Sequence, residues 1–175
     1  MEDIAPRQKI IQALAQGDES TRDERADRLE WISRVDSRPS AFWGPLDTSQ
    51  VLREAHSCFI DGHNVACILL ATSFLEHTLS DELAERGLIK GKPTLGNLLE
   101  LARANLDFPT DLLERADRLR NLRNPFVHRR PPEDETTFGS RFKAARTHPD
   151  NILEADGKLA ISVMYELFAH TLRRA

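Results

Sequence analysis

Apolar residues recur every three or four positions along most of the chain, and this spacing restricts the fold more than any other feature. The series Leu113, Ala116, Leu119 and Leu122 is one example, and it has the period of one face of an α-helix. No alternating β-branched run is bounded by turn residues, as a strand would require. We therefore predict an all-α protein, an antiparallel helical bundle of about four to five core helices with an N-terminal helical extension.

Capping residues and helix breakers divide this pattern into segments. We predict helices over residues 4–15, 20–35, 47–60, 63–86, 94–105, 110–124 and 151–173. Ser20 is expected to cap the second helix, Gly87 to end the fourth and Thr94 to cap the fifth. Residues 37–45 are typical of an ordered loop that packs aromatic rings, and residues 133–149 of a polar linker.

Composition narrows the class of protein. Hydrophobic residues make up 40% of the 175 residues and charged residues 30%, which is typical of a soluble domain with a real core. No apolar run is long enough for a bilayer, and the N-terminus does not resemble a signal peptide, so we expect a cytoplasmic protein without membrane contact. Cys58 and Cys67 fall in apolar stretches, which favours reduced core thiols. The net charge of −4 argues against charge-driven coating of DNA but leaves room for a local RNA site.

Residues 122–130, Leu-Arg-Asn-Pro-Phe-Val-His-Arg-Arg, place an Arg, an Asn and a His around a proline. Arginine binds phosphate through a fixed fork of donors, and histidine exchanges protons near neutral pH. Pro125 lacks an N–H and disfavours helical geometry at Asn124, so we expect either a kink or a break with a new helix starting at Asn124. Free N–H groups at such a helix start would suit an anion.

A local excess of positive charge surrounds this segment. Between positions 115 and 130 the single acid is Asp117, whereas the arginines are Arg115, Arg118, Arg120, Arg123, Arg129 and Arg130. Such a basic island in an acidic chain suits phosphate binding. Two alternatives stay open: the island balances the acidic run that follows at positions 133–135, or the segment is simply a capped, kinked surface helix.

The spacing of Arg123, Asn124 and His128 resembles the Arg-polar-x-x-x-His motif of the HEPN superfamily, many of whose members are metal-independent ribonucleases. Three other segments are similar to elements of that family in their order: the apolar run 65–77 with its embedded Glu76, the stretch 95–124, and residues 153–161. The resemblance covers about residues 50–174. Residues 1–46 are therefore interpreted as an N-terminal extension, and residues 47–175 as a HEPN-like helical bundle domain.

The resemblance implies a chemistry. Arg123 would bind the scissile phosphate, His128 would act as general acid or base, and Asn124 would orient the His or a phosphate oxygen. Attack by the 2′-hydroxyl of RNA would leave a 2′,3′-cyclic phosphate without a metal, so no metal and no other cofactor is expected. Because one His cannot easily carry out both proton transfers, we expect a homodimer. Proteins of this kind are often toxins or defence proteins paired with a nucleotidyltransferase antitoxin.

Several other residues receive supporting roles. Arg120, Arg129 and Arg130 are expected to contact the RNA backbone. Glu76, at the edge of an apolar stripe, is predicted to position Arg120 or Arg123, although a solvent-facing Glu is equally compatible with the sequence. The basic residues 141–146 could form a short amphipathic helix over the site, but a solvated loop is the preferred interpretation.

Other functions compete with the ribonuclease. One is a non-catalytic HEPN module that binds nucleotide or RNA, or serves as a dimerisation or regulatory partner; another is a purely structural bundle. A metal site built from His56, His63 and Cys67 is disfavoured because no fourth ligand has standard spacing. Trp31 and Trp43 either pack on the bundle or recognise a partner, and packing is the more common use of a large aromatic.

Overall fold

Seven helices and no strand make up the described part of this computed structural model, which comprises residues 6–35, 45–131 and 133–171. The helices are α1 (Pro6–Val35), α2 (Leu46–Ile60), α3 (Asn64–Ala84), α4 (Leu95–Asn105), α5 (Thr110–Val127), α6 (Phe138–Ala145) and α7 (Pro149–Thr171). The prediction of an all-α protein is confirmed. The antiparallel arrangement of the bundle stays a prediction.

Helix α3 forms the centre of the core. It packs against α2, α4, α5 and α7. Its fully buried apolar residues lie on more than one face of the helix: Cys67, Ile68, Ala71, Leu75, Leu79 and Leu83. The rings of Phe74 on α3 and Phe168 on α7 meet edge to face, with 6.1 Å between their centroids. Burial of each Leu or Phe side chain contributes about 1.5–3 kcal/mol, so α3 supports every helix that carries a predicted site residue.

The first helix differs from the prediction. Two helices with Ser20 as the cap of the second were expected, but α1 is continuous from Pro6 to Val35. Ser20 Oγ donates to the carbonyl of Gly17 at 2.8 Å, as a serine inside a helix does. Gly17 lies inside α1. A glycine in a helix interior costs about 1 kcal/mol relative to alanine, which weakens the helix without ending it.

The C-terminal end of α1 attaches it to the other helices. Residues 6–24 are exposed throughout, whereas Ile32 is buried and Trp31 lies 5.3 Å from Phe59 between ring centroids. Arg28 Nη1 donates to the carbonyl of Ile60 at 3.2 Å, at the negative end of the α2 dipole. Trp31 therefore packs on the core, and the division of the chain at residue 46 stays a prediction.

Turns and caps agree with the sequence at several points. The predicted break after α2 is present, and Gly62 adopts φ +78°, a conformation that residues with a Cβ rarely adopt. Gly87 follows the end of α3 with φ +68°. Thr94 caps α4 by accepting from Asn97 N–H, and the Asn97 side chain accepts from Thr94 N–H in return. Three predictions lie outside the described residues: the start of the first helix at Ile4, the loop with Trp43 and the end of the last helix at Arg173.

Residues 133–149 contain a helix. Thr137 caps α6 by accepting from Ser140 N–H, and the helix continues to Ala145. The preferred interpretation of residues 141–146 as a solvated loop is therefore wrong. Arg141 holds α6 in place, because it donates to both carboxylate oxygens of Asp156 at 2.7 and 2.8 Å. A carboxylate buried at a core-facing position of α7 needs a cationic partner. The sequence of residues 141–146 alone does not reveal that Arg141 is this partner.

Candidate nucleic-acid interface

The helix that carries the motif does not break at Asn124, so of the two expected outcomes the break with a new helix starting at Asn124 is wrong. Helix α5 continues through Pro125 to Val127, and His128 follows as its C-terminal cap, donating its N–H to the carbonyl of Asn124 at 2.8 Å. Pro125 cannot donate to the carbonyl of Asn121 one turn earlier, so α5 continues through the proline without that hydrogen bond. Burial of Leu119 and Leu122 on the core side holds the helix up to this point.

Because α5 is continuous, the motif lies at the opposite end of a helix dipole from the one expected. The motif lies at the carboxyl end of α5, which carries the negative end of the helix dipole and presents carbonyl oxygens rather than N–H groups. The expected anion site made of backbone N–H groups is therefore wrong. Positive charge comes here from side chains, and the helix end favours the cations Arg129 and Arg130 that follow it.

An aromatic contact fixes the end of α5. Phe126 is half-buried against the core, and its ring lies 6.2 Å from that of Phe138 on α6. The residues flanking Phe126 on the chain include exposed Val127 and His128. The motif thus projects from a helix end that is anchored to both the core and α6.

The predicted catalytic side chains have no intramolecular partners in the described part of the chain. Arg123 and Asn124 are half-buried and His128 is exposed, and none of the three forms a side-chain hydrogen bond or ion pair with another described residue. Arg129 and Arg130 are exposed beside them, and Arg130 lies near enough to Asp134 to lower the pKa of that carboxyl, together with hydrogen bonds from Thr136 that have the larger effect. Arg123 and His128 are therefore available to a ligand.

Other arginines of the basic island are occupied. Arg120 Nε pairs with Asp117 at 2.8 Å. Arg115 joins Asp111 at 2.9 Å and Glu166 at 2.6 Å, connecting α5 to α7. Burial alone would lower the pKa of Arg115, but its bonds to Glu166 and Asp111 outweigh that effect and raise it. Arg115 is thus structural. The bond to Asp117 occupies only the Nε donor of Arg120 and leaves its Nη groups for an RNA phosphate.

Glu76 does not contact the motif directly. It is half-buried on α3, and in the described residues no hydrogen bond or ion pair connects it to Arg120 or Arg123. Its expected direct contact with either arginine is absent from the single chain. A supporting role for Glu76 stays a prediction.

A cleft of about 470 Å³ adjoins the motif. Its wall includes Asn121 and Leu122, which directly precede Arg123, and it also includes Arg103, Arg118 and Thr136. The acids Glu114 and Asp117 line the same cleft, so its charge is mixed. The sequence alone did not indicate Arg103, because this residue lies on α4 and joins the cleft only through the fold.

No group of three His, Cys, Asp or Glu side chains among the described residues is arranged to hold a metal ion. His56 Nδ1 instead bonds the hydroxyl of buried Tyr165. Cys67 is fully buried, and burial raises the pKa of its thiol. In the same part of the chain no helix has the length and apolarity needed to cross a membrane.

Comparison of the chain with protein-family models, with curated proteins and with solved structures gives no match. The resemblance to the HEPN superfamily therefore rests on the residues of the motif and on the order of the segments around it.

Proposed function

We propose that this protein is a metal-independent endoribonuclease of the HEPN type that cleaves RNA with Arg123, Asn124 and His128. The observation that carries the proposal is that Arg123 and His128 have no partner among the described residues, at a helix end fixed by Phe126. Elsewhere in the same part of the chain many arginines are held in ion pairs, among them Arg28, Arg34, Arg86, Arg115, Arg120 and Arg141.

The proposed reaction is attack of a ribose 2′-oxygen on the adjacent phosphorus, with cleavage of the bond from phosphorus to the 5′-oxygen. The 2′-hydroxyl proton passes to a base, and the leaving 5′-oxygen takes a proton from an acid. Arg123 binds the non-bridging phosphate oxygens, where negative charge grows in the transition state. Asn124, in the same turn, orients His128 or a phosphate oxygen.

Two proton transfers call for two acid–base groups, and a homodimer would supply them as two copies of His128. We carry the homodimer forward as part of the proposal. The role as a toxin or defence protein with a nucleotidyltransferase antitoxin, in the cytoplasm, rests on the family resemblance.

A second candidate is a module that binds RNA or nucleotide without cleaving it. The polarity of α5 favours this alternative, because the motif receives no backbone N–H groups from the helix end to stabilise a charged transition state. Side-chain cations suffice for binding.

Cleavage of total RNA in the presence of EDTA tests the proposal. Wild type is compared with Arg123→Ala and His128→Ala, and with the matched exposed controls Arg22→Ala and His63→Ala. We expect wild type and the controls to produce fragments with cyclic phosphate ends. Both motif variants should lose at least about 100-fold in rate, His128→Ala through loss of general acid–base catalysis and Arg123→Ala through loss of transition-state charge stabilisation. Unchanged cleavage by either motif variant would contradict the assignment. An inert wild type that still binds RNA would favour the binding module.

A further inference from the structure

Helix α6 exposes an aromatic ring close to the motif. Phe142 is 41% exposed. It lies one helical turn after Phe138, whose ring contacts Phe126 at the end of α5. Since one turn of helix advances about 5.4 Å, Phe142 lies on the same side of α6 as the contact with the motif helix, a short step farther along the surface.

Positive charge lines the groove beside this ring. The groove has a volume of about 490 Å³ and is lined by Phe142, Lys143, Arg146, Thr147, His148 and Pro149. None of these residues is an acid, although the chain as a whole has a net charge of −4. An exposed ring with adjoining cations combines the two features that single-stranded nucleic acid uses, base stacking and phosphate attraction.

The groove is built on a fixed element. The bidentate pair between Arg141 and Asp156 holds α6 on α7, and Asp156 is only 4% exposed at its side chain. Arg146 ends α6 in the left-handed conformation, at φ +50°, with its N–H bonded to the carbonyl of Phe142. The backbone that carries the ring and the two cations is therefore held against α7.

We propose that this groove binds single-stranded RNA, with an unpaired base stacked on Phe142 and phosphates contacting Lys143 and Arg146. Duplex RNA keeps its bases stacked inside the helix, so only an unpaired strand can use the ring. The inference rests on the proposed ribonuclease only for the identity of the RNA as its substrate.

Binding of a fluorescein-labelled 2′-O-methyl RNA of about 12 nucleotides, measured by fluorescence anisotropy, tests the proposal. This probe has no free 2′-hydroxyl and cannot be cleaved by 2′-attack, so binding is measured independently of catalysis. The variants are Phe142→Ala, Phe142→Tyr and the double change Lys143→Ala with Arg146→Ala. Leu46→Ala controls for loss of an exposed apolar residue, and Lys90→Ala with Lys92→Ala controls for loss of two exposed cations.

We expect Phe142→Ala to raise the dissociation constant roughly 5- to 100-fold. Phe142→Tyr should keep the wild-type value, because tyrosine retains the stacking surface. The double variant should reduce the slope of log affinity against log salt by about 1.4, since each phosphate contact on a single strand contributes about 0.7. The controls should match wild type.

Three results would overturn the groove proposal: no binding by wild type, equal binding by all variants, or a loss with the double variant while Phe142→Ala matches Leu46→Ala. In the last case the groove attracts anions without stacking a base. The ribonuclease proposal and the groove proposal can be contradicted independently of each other. Loss of binding in the groove variants with no cleavage by wild type would support the groove alone, whereas cleavage with unaffected binding would support the ribonuclease alone.

Discussion

Gly157 lies where α7 meets α3, at a distance that leaves no room for a side chain. A Cβ at this position would lie 2.5 Å from Asn64 Oδ1 and 3.2 Å from Phe59 Cδ2. Asn64 Oδ1 is buried and has no hydrogen-bond partner in the described residues, so it is held there by packing. Position 157 therefore accepts no larger residue unless Asn64 moves.

Gly157→Ala should lower the free energy of unfolding by about 1–3 kcal/mol, because overpacking outweighs the gain of about 1 kcal/mol in helix propensity. Urea denaturation followed by circular dichroism measures the difference. Gly139→Ala is the matched control, since a Cβ on Gly139 meets nothing within 4 Å. A stability for Gly157→Ala equal to or above that of wild type would mean that Asn64 moves aside without cost.

At the scale of single elements, α5 and α6 depart most from the sequence-based expectations. The cap at Thr94 and the break between residues 60 and 63 were identified because a capping hydroxyl and a glycine turn act locally. The effect of Pro125 was not predicted correctly, because whether a proline ends a helix depends on how well the preceding turn packs on the core. For residues 141–146 the sequence favoured a loop over a helix for a similar reason, since the partner of Arg141, Asp156, comes 15 residues later.

The candidate site shows the same limit. The sequence identified Arg123, Asn124 and His128 from their spacing. It did not separate the arginines that are paired from those that are not, although the spacing of Asp117 and Arg120 already favours a pair on one helix face. The pairing of Arg115 with Glu166 requires the contact between α5 and α7 and could not be read from local sequence.

Replacing Arg141 should cost more stability than replacing its partner Asp156. Side-chain exposure is 24% for Arg141 and 4% for Asp156. Arg141→Met leaves a buried carboxylate without its partner and should cost about 3–5 kcal/mol of stability, whereas Asp156→Asn leaves an arginine that can turn to water and should cost about 1–2 kcal/mol. Chemical denaturation of both variants measures the two losses.

The double variant Arg141→Met with Asp156→Leu serves as the control for this pair, because it removes both charges and should recover part of the loss. Equal costs for the two single changes would argue that the carboxylate gains access to water when α6 detaches.

On the scale of the whole molecule, the chain divides into a packed body and an exposed arm, which is the segment of α1 over residues 6–24. The body includes Trp31 and Ile32, and Arg28 reaches α2 and also lies 3.9 Å from Glu154 on α7. The arm contributes no buried residue and carries exposed Ile10, Ile11 and Leu14. Its removal should therefore leave the body intact.

Deletion of residues 1–20 should change the free energy of unfolding of the body by no more than about 0.5 kcal/mol, as surface changes usually do. Deletion of residues 1–35 should destabilise it markedly, because the contacts of Trp31, Ile32 and Arg28 are lost. Thermal and urea unfolding of both proteins provide the comparison. A large loss from the shorter deletion would show that the arm folds back on the body in solution.

The arm also affects how the mass of this protein must be measured. A helix rises about 1.5 Å per residue, so the exposed segment extends about 28 Å along its axis. A chain of this shape diffuses more slowly than a sphere of the same mass and elutes early from a size-exclusion column. A monomer could thus be taken for a dimer by elution volume alone, and the number of chains that come together around His128 has to be counted by light scattering or sedimentation equilibrium.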